Sequence, residues 1–113
     1  MKEIEGLFQL REWESVNLPL CKSSIGQAVF RYISKSHLQG HTPSVKELIN
    51  DLHEYSRAGI RLQLKRLEKE GWIQLTNGVT DGRNRHISST NQLDSLLKQY
   101  RVQLKKLVVV HVK

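Results

Sequence analysis

Three observations predict a mainly α chain that carries a small β-hairpin late in its length. Before Gly71, apolar residues recur at helical spacing, punctuated by residues that start and stop helices. A short alternating stretch, Trp72-Ile73-Gln74-Leu75-Thr76, then leads into a turn-rich segment from Asn77 to Asn84, and Arg85 to Ser89 can return as the pairing strand. Positive charge gathers behind Ser56: residues 1–56 hold six Lys and Arg against seven Asp and Glu, whereas residues 57–113 hold twelve against four. Helices first, then a hairpin, with the cations on the helix that leads into it, is the layout of a winged helix-turn-helix with a small β-hairpin wing and terminal dimerisation helices.

Each element has a local reason. Residues 3–14 place Ile4, Leu7 and Phe8 at helical spacing, and Asn17-Leu18-Pro19 ends that helix. From Ser24, the set Ile25, Ala28, Val29, Tyr32 and Ile33 follows one helical face until Gly40 stops it. Ser44 and Glu47 form a capping-box pair at the start of the next helix, which buries Val45, Leu48, Ile49 and Leu52 and ends near His53. Ser56 caps a third core helix that runs to Glu70, with Gly71 as its left-handed stop. After the hairpin, Thr90 caps a final helix in which Leu93, Leu97, Tyr100, Leu104 and Leu107 recur at intervals of four and three, a seam that needs another helix to cover it.

The chain has 113 residues, 38% hydrophobic and 26% charged, which fits one domain. Within it, 1–22 form an N-terminal helix and linker, 23–90 the winged helix-turn-helix, and 91–113 the C-terminal dimerisation helix and tail. No apolar run is long enough to span a membrane, and the acidic start Met1-Lys2-Glu3-Ile4-Glu5 does not read as a signal peptide, so a cytoplasmic location is expected. A single cysteine, Cys21, excludes an internal disulfide and a multi-cysteine zinc site, and reads best as a small apolar residue. His37 and His41 are four apart, but Gly40 intervenes and no acid or thiol nearby completes a metal site, so both read as surface residues. No nucleophile–base pair or phosphate-cradling glycine loop is present; the sequence supports neither an enzyme nor a cofactor, and names no small-molecule effector.

A net charge of +7, concentrated in the second half, makes a polyanion the expected partner, and double-stranded DNA leads that class. On the third core helix, Ile60, Leu64 and Leu67 fall in one narrow sector that must face the core. The opposite side carries Ala58, Leu62, Lys65 and Lys69, flanked by Arg61 and Arg66, with Arg57 beside the Ser56 cap. Arg and Lys can bond guanine edges in the major groove and small apolar groups can meet thymine methyls, so Arg57, Ala58, Arg61, Leu62 and Lys65 are expected near bases, and Arg66 and Lys69 on phosphates. Leu62 is the odd member: either DNA or a partner covers it, or the helix is rotated and buries it at an edge. At the hairpin tip, Arg83, Asn84 and Arg85 are placed to grip phosphates or a narrow minor groove, with Asp81 orienting Arg83.

Leu64-Lys65-Arg66-Leu67-Glu68-Lys69-Glu70-Gly71-Trp72-Ile73, followed by Asp81-Gly82-Arg83-Asn84-Arg85-His86-Ile87 and Thr90, resembles the recognition helix and wing of MarR-type transcriptional regulators across roughly residues 24–107. The helix-to-strand part is shared with other winged helices, including LexA-like DNA-binding domains. Gly82 and Ser89 depart from the usual MarR pattern. The resemblance implies a repressor or activator that binds a pseudo-palindrome as a homodimer, with Arg83 as the wing contact. Ile4, Leu7, Phe8 and the Leu93–Leu107 seam are the expected dimer contacts, and the apolar run Leu107-Val108-Val109-Val110 supports them. The alternative class is a winged-helix module whose basic helix meets an acidic protein rather than DNA.

Overall fold

In the computed structural model, residues 1–20, 22–77 and 84–111 are described, with side chains as far as Leu107. The order is α1 (Lys2–Asn17), α2 (Ser24–Leu38), α3 (Val45–Asp51), α4 (Arg57–Lys69), β1 (Ile73–Asn77), β2 (Arg85–Ser89) and α5 (Asn91–His111). Every helix and both strands stand where the periodicity puts them. α1 runs about a turn further than residues 3–14, reaching Asn17, whose side-chain amide donates to the Trp13 carbonyl at 2.9 Å and holds that last turn.

The caps explain the boundaries. Ser23, one residue before the expected start, opens α2 by accepting from the Gly26 amide at 3.0 Å. At α3 the capping box is complete: the Ser44 hydroxyl accepts from the Glu47 amide at 3.0 Å, and the Ser44 amide donates back to the Glu47 carboxylate. Ser56 caps α4 through the Gly59 amide at 3.0 Å. Gly40 and Gly71 follow α2 and α4 with φ of 73° and 87°, backbone geometry that side chains with a Cβ resist.

The core gathers Val29, Phe30 and Ile33 of α2, Val45, Leu48 and Ile49 of α3, Ile60, Leu64 and Leu67 of α4, Ile73 and Ile87 of the hairpin, and Leu93 and Leu96 of α5. The hairpin is antiparallel with Leu75 opposite Ile87, and an isolated bridge between Ser44 and His86 ties β2 to the entry of α3. The Ile87 amide donates to the Pro43 carbonyl at 2.8 Å, so the wing is stitched to the helix pair rather than hanging from one end. Thr90 closes the other side: its hydroxyl donates toward the Gly71 carbonyl at 2.6 Å and lies 3.0 Å from that of Trp72, while accepting from the Leu93 amide at 3.4 Å. One side chain thus joins the end of α4, the start of β1 and the first turn of α5.

α5 leaves this core after Leu96 and packs against α1. Trp13 and Tyr100 meet with ring centroids 5.5 Å apart, the Tyr100 hydroxyl donates to Glu14, and Leu107 lies over Gly6, where an added Cβ would come within 2.6 Å of its Cδ2. Burial, together with the Glu14 carboxylate, pushes the Tyr100 phenol up to about 12, so it stays a hydrogen-bond donor at neutral pH.

Two outcomes test this account. Leu64 is almost wholly buried between α2 and α4, and Leu64→Ala is expected to cost about 2–5 kcal/mol in urea unfolding; a loss below about 0.5 kcal/mol would place the helix differently. His41 Nε2 lies 2.9 Å from the Glu47 carboxylate and, with the Ser44 amide, holds it below its ordinary value of 4.5. That stabilisation is complete above the ordinary glutamate range and is lost as pH falls through the depressed value. Glu47→Gln keeps a capping acceptor but removes the charge, so its melting temperature should fall less steeply on acidification than that of the wild type; parallel curves would contradict the assignment.

Candidate nucleic-acid interface

Helix α4 is anchored by Ile60, Leu64 and Leu67, none more than 2% exposed, with Gln63 also buried beside them. At about 100° per residue this leaves one outward stripe. Ser56 and all seven helical residues named from the sequence, Arg57, Ala58, Arg61, Leu62, Lys65, Arg66 and Lys69, are exposed. The helix is therefore not rotated to bury Leu62, which is 48% exposed.

The stripe's charges are unneutralised. Among the described residues no salt bridge joins a cation of α4 to a carboxylate. Glu68 is turned away, accepting from the Leu75 amide at 3.2 Å, and Glu70 sits at the C-terminal cap, far from the Ser56 end. Five like charges left side by side repel one another, a cost that an approaching polyanion relieves.

The wing places its described part against the same end of α4. Arg85, exposed at the start of β2, pairs across the hairpin with Asn77, and Asn84 is half-buried with its side-chain carbonyl oxygen unpartnered. Arg83 and Asp81 lie outside the described residues. Asn84, Arg85, Arg57 and Arg61 border a cleft of about 350 Å³ whose other wall is Val45, Lys46, Ile49 and Asn50 of α3. The cleft is lined by four cations and no carboxylate.

Lys46 and Asn50 are the residues that sequence reasoning missed. The signal was present: four apart on α3, they occupy the face opposite Val45, Leu48 and Ile49, which the core claims. The outer face of α3 and the start of α4 thus border the same cleft.

The terminal helices are only partly as expected. Leu93 is 1% exposed and belongs to the core, so it is corrected from dimer contact to core residue: the seam begins inside the domain because Thr90 fixes the first turn of α5 against α4. Leu97 is half-buried against the same core, and Tyr100 and Leu107 meet α1 of their own chain. Ile4, Leu7, Phe8 and Leu104 remain exposed, as does Val102. The side chains of Val108, Val109 and Val110, like Cys21, lie outside the described residues. His37 and His41 each face one carboxylate, Asp94 at 3.1 Å and Glu47 at 2.9 Å, and among the described residues no group of three or more metal-ligating side chains forms. No described helix is long and apolar enough to cross a membrane.

A helix pair, an outward cationic helix and a hairpin stitched to its side define a winged helix-turn-helix protein. The chain belongs to the LexA DNA binding domain family, whose model matches residues 24–82, a little over half of its length. Its fold is also that of MarR-family winged-helix regulators. It is similar to YusO protein from Bacillus subtilis (TM-score 0.63, 19% identity, covering 98% of this chain and 71% of that one). It is similar to the transcriptional regulator Tm0710 from Thermotoga maritima (0.66, 20%, 94% and 66%) and to the heme sensor protein PefR from Streptococcus agalactiae, solved in complex with heme (0.63, 20%, 98% and 76%). At these identities the likeness is one of fold. No curated protein matches the chain.

Proposed function

We propose that the chain is a sequence-specific double-stranded DNA-binding transcriptional regulator that acts as a homodimer on an inverted repeat. The observation that carries this reading is the outward stripe of α4, exposed along its length and free of carboxylate partners among the described residues. An α-helix of this width enters the major groove, where Arg57, Arg61 and Lys65 reach guanine edges. Lys46, Arg66 and Lys69 then lie on phosphates, and Arg85, with Arg83 ahead of it, holds the adjacent strand. Family membership and the transcriptional regulators among the similar folds support the same reading.

Dimerisation is supported by the apolar residues that α1 and α5 leave uncovered. Phe8 is 60% exposed, with Ile4, Leu7, Val102 and Leu104 also in water. A second copy covers these and sets the two α4 helices about one DNA turn, roughly 34 Å, apart. Phe8→Lys should shift the free protein from dimer to monomer mass and abolish the preference for an inverted repeat over a single half-site. An unchanged mass would move the interface elsewhere.

Selection from random duplex pools, followed by titration across salt, tests the DNA reading. The binding constant is expected to fall with log salt at a slope of about −0.9 per phosphate neutralised. Lys46→Ala should weaken all sequences alike and reduce that slope by about 1, whereas Arg61→Ala should cost about 1–3 kcal/mol at one base position. Absence of duplex binding at low salt would overturn the proposal in favour of a protein-binding module.

A further inference from the structure

Most large apolar side chains left in water by the described residues lie on α1, α5 or the end of α2: Ile4, Leu7, Phe8, Val16, Val102, Leu104 and Leu38. Leu62 alone lies on α4, 48% exposed and surrounded by cations. Its neighbours one turn away are Ala58 before it and Arg66 after it, with Arg61 and Lys65 together on one flank. Ala58 and Leu62 therefore make a strip of aliphatic groups about 6 Å long down the middle of the cationic face. No described core residue on another element closes over it, and a leucine in water forfeits the burial that would make it favourable.

We infer that Leu62, extended by Ala58, is a specificity-determining residue that reads the C5 methyl of a thymine in each half-site. The inference rests on the DNA-binding reading and adds the identity of one base. The methyl group of thymine is the one sizeable apolar group that base edges present in the major groove; apart from small C–H groups, the others there are donors or acceptors of hydrogen bonds. A leucine set against a guanine or adenine edge, or against the cytosine amino group, strips water from a polar atom and gives nothing back. Set against a thymine methyl, it removes two apolar surfaces from water together. Arg61 and Lys65, both to one side of Leu62, then find their acceptors on a neighbouring pair, so the half-site is read as a thymine beside a guanine-bearing pair.

The test removes the methyl and nothing else. In the duplex obtained by selection, thymines are replaced one at a time by uracil, and each duplex is titrated with wild type and with Leu62→Ala. Because Leu62 is exposed and alanine is a strong helix former, the variant keeps its fold, which its thermal melt verifies. At one thymine per half-site, uracil should weaken wild-type binding about fourfold, the worth of one buried methyl, and Leu62→Ala should bind the thymine and uracil duplexes equally. The inference is overturned if no thymine responds in the wild type, or if Leu62→Ala keeps the wild-type preference. Salt-dependent binding with no methyl response removes this inference alone, whereas failure to bind any duplex removes the DNA reading with it.

Discussion

Ile60, Leu64 and Leu67 fix the rotation of α4 about its own axis, and the character of the whole surface depends on that angle. The three residues occupy one sector and are buried in a core shared with residues of α2, α3, the hairpin and α5. A slip of one residue, about 100°, would carry Arg61 or Lys65 toward this interior, where an unpaired cation costs several kcal/mol. It would also expose a leucine. Both penalties act in the same direction, so the helix has one stable setting, and in that setting its cations face water. Positive charge on the outside of α4 is thus enforced by what is apolar on the inside.

Electrostatics then distinguishes the two ends of the helix. At the Ser56 end, Arg57 and Arg61 meet Lys46 and Arg85 across a cleft with no acid in its lining. At the other end, Glu68 is occupied with the amide of Leu75 and Glu70 is the C-cap residue of the helix. The N-terminal end of a helix also carries the positive pole of its dipole, which adds to the same field. The Ser56 end of α4 therefore gathers cations from three elements around one cleft.

How far this was legible in the sequence depends on whether a residue's role is local or tertiary. Caps are local: Ser44 with Glu47, Ser56, Gly40 and Gly71 are readable because each satisfies or terminates its own helix within three or four positions. The outward stripe of α4 is nearly local, since one clear core sector determines its complement. Leu93 was misread because a heptad spacing does not say which turn of a helix enters a domain core. That is decided by the Thr90 hydroxyl reaching back to Gly71 and Trp72, 19 and 18 residues earlier. Lys46 went unnoticed for the converse reason: on a helix of seven residues it looked like an ordinary solvated lysine until α3, α4 and β2 closed a cleft around it. Helix α2 starts at Ser24 as its periodicity indicates, and which of the adjacent serines caps it is settled only by the Gly26 amide, which donates to Ser23.

Helix α5 gives the molecule its mechanical continuity. It begins inside the core with Leu93 and Leu96, continues past the half-buried Leu97, and leaves to pair with α1 through Tyr100 and Leu107. A single helix shared by two packing regions transmits orientation between them, because its backbone hydrogen bonds resist bending and twisting far more than a loop would. Thr90 fixes the near end of this rod to the end of α4, so the direction in which α4 points and the direction in which α1 and α5 project are not independent. A second tie acts further along α2, where His37 meets Asp94, whose carboxyl is held below its ordinary range by that contact and by Lys98. Two copies that met through α1 and α5 would therefore inherit a defined separation and angle between their α4 helices from bonds within each chain.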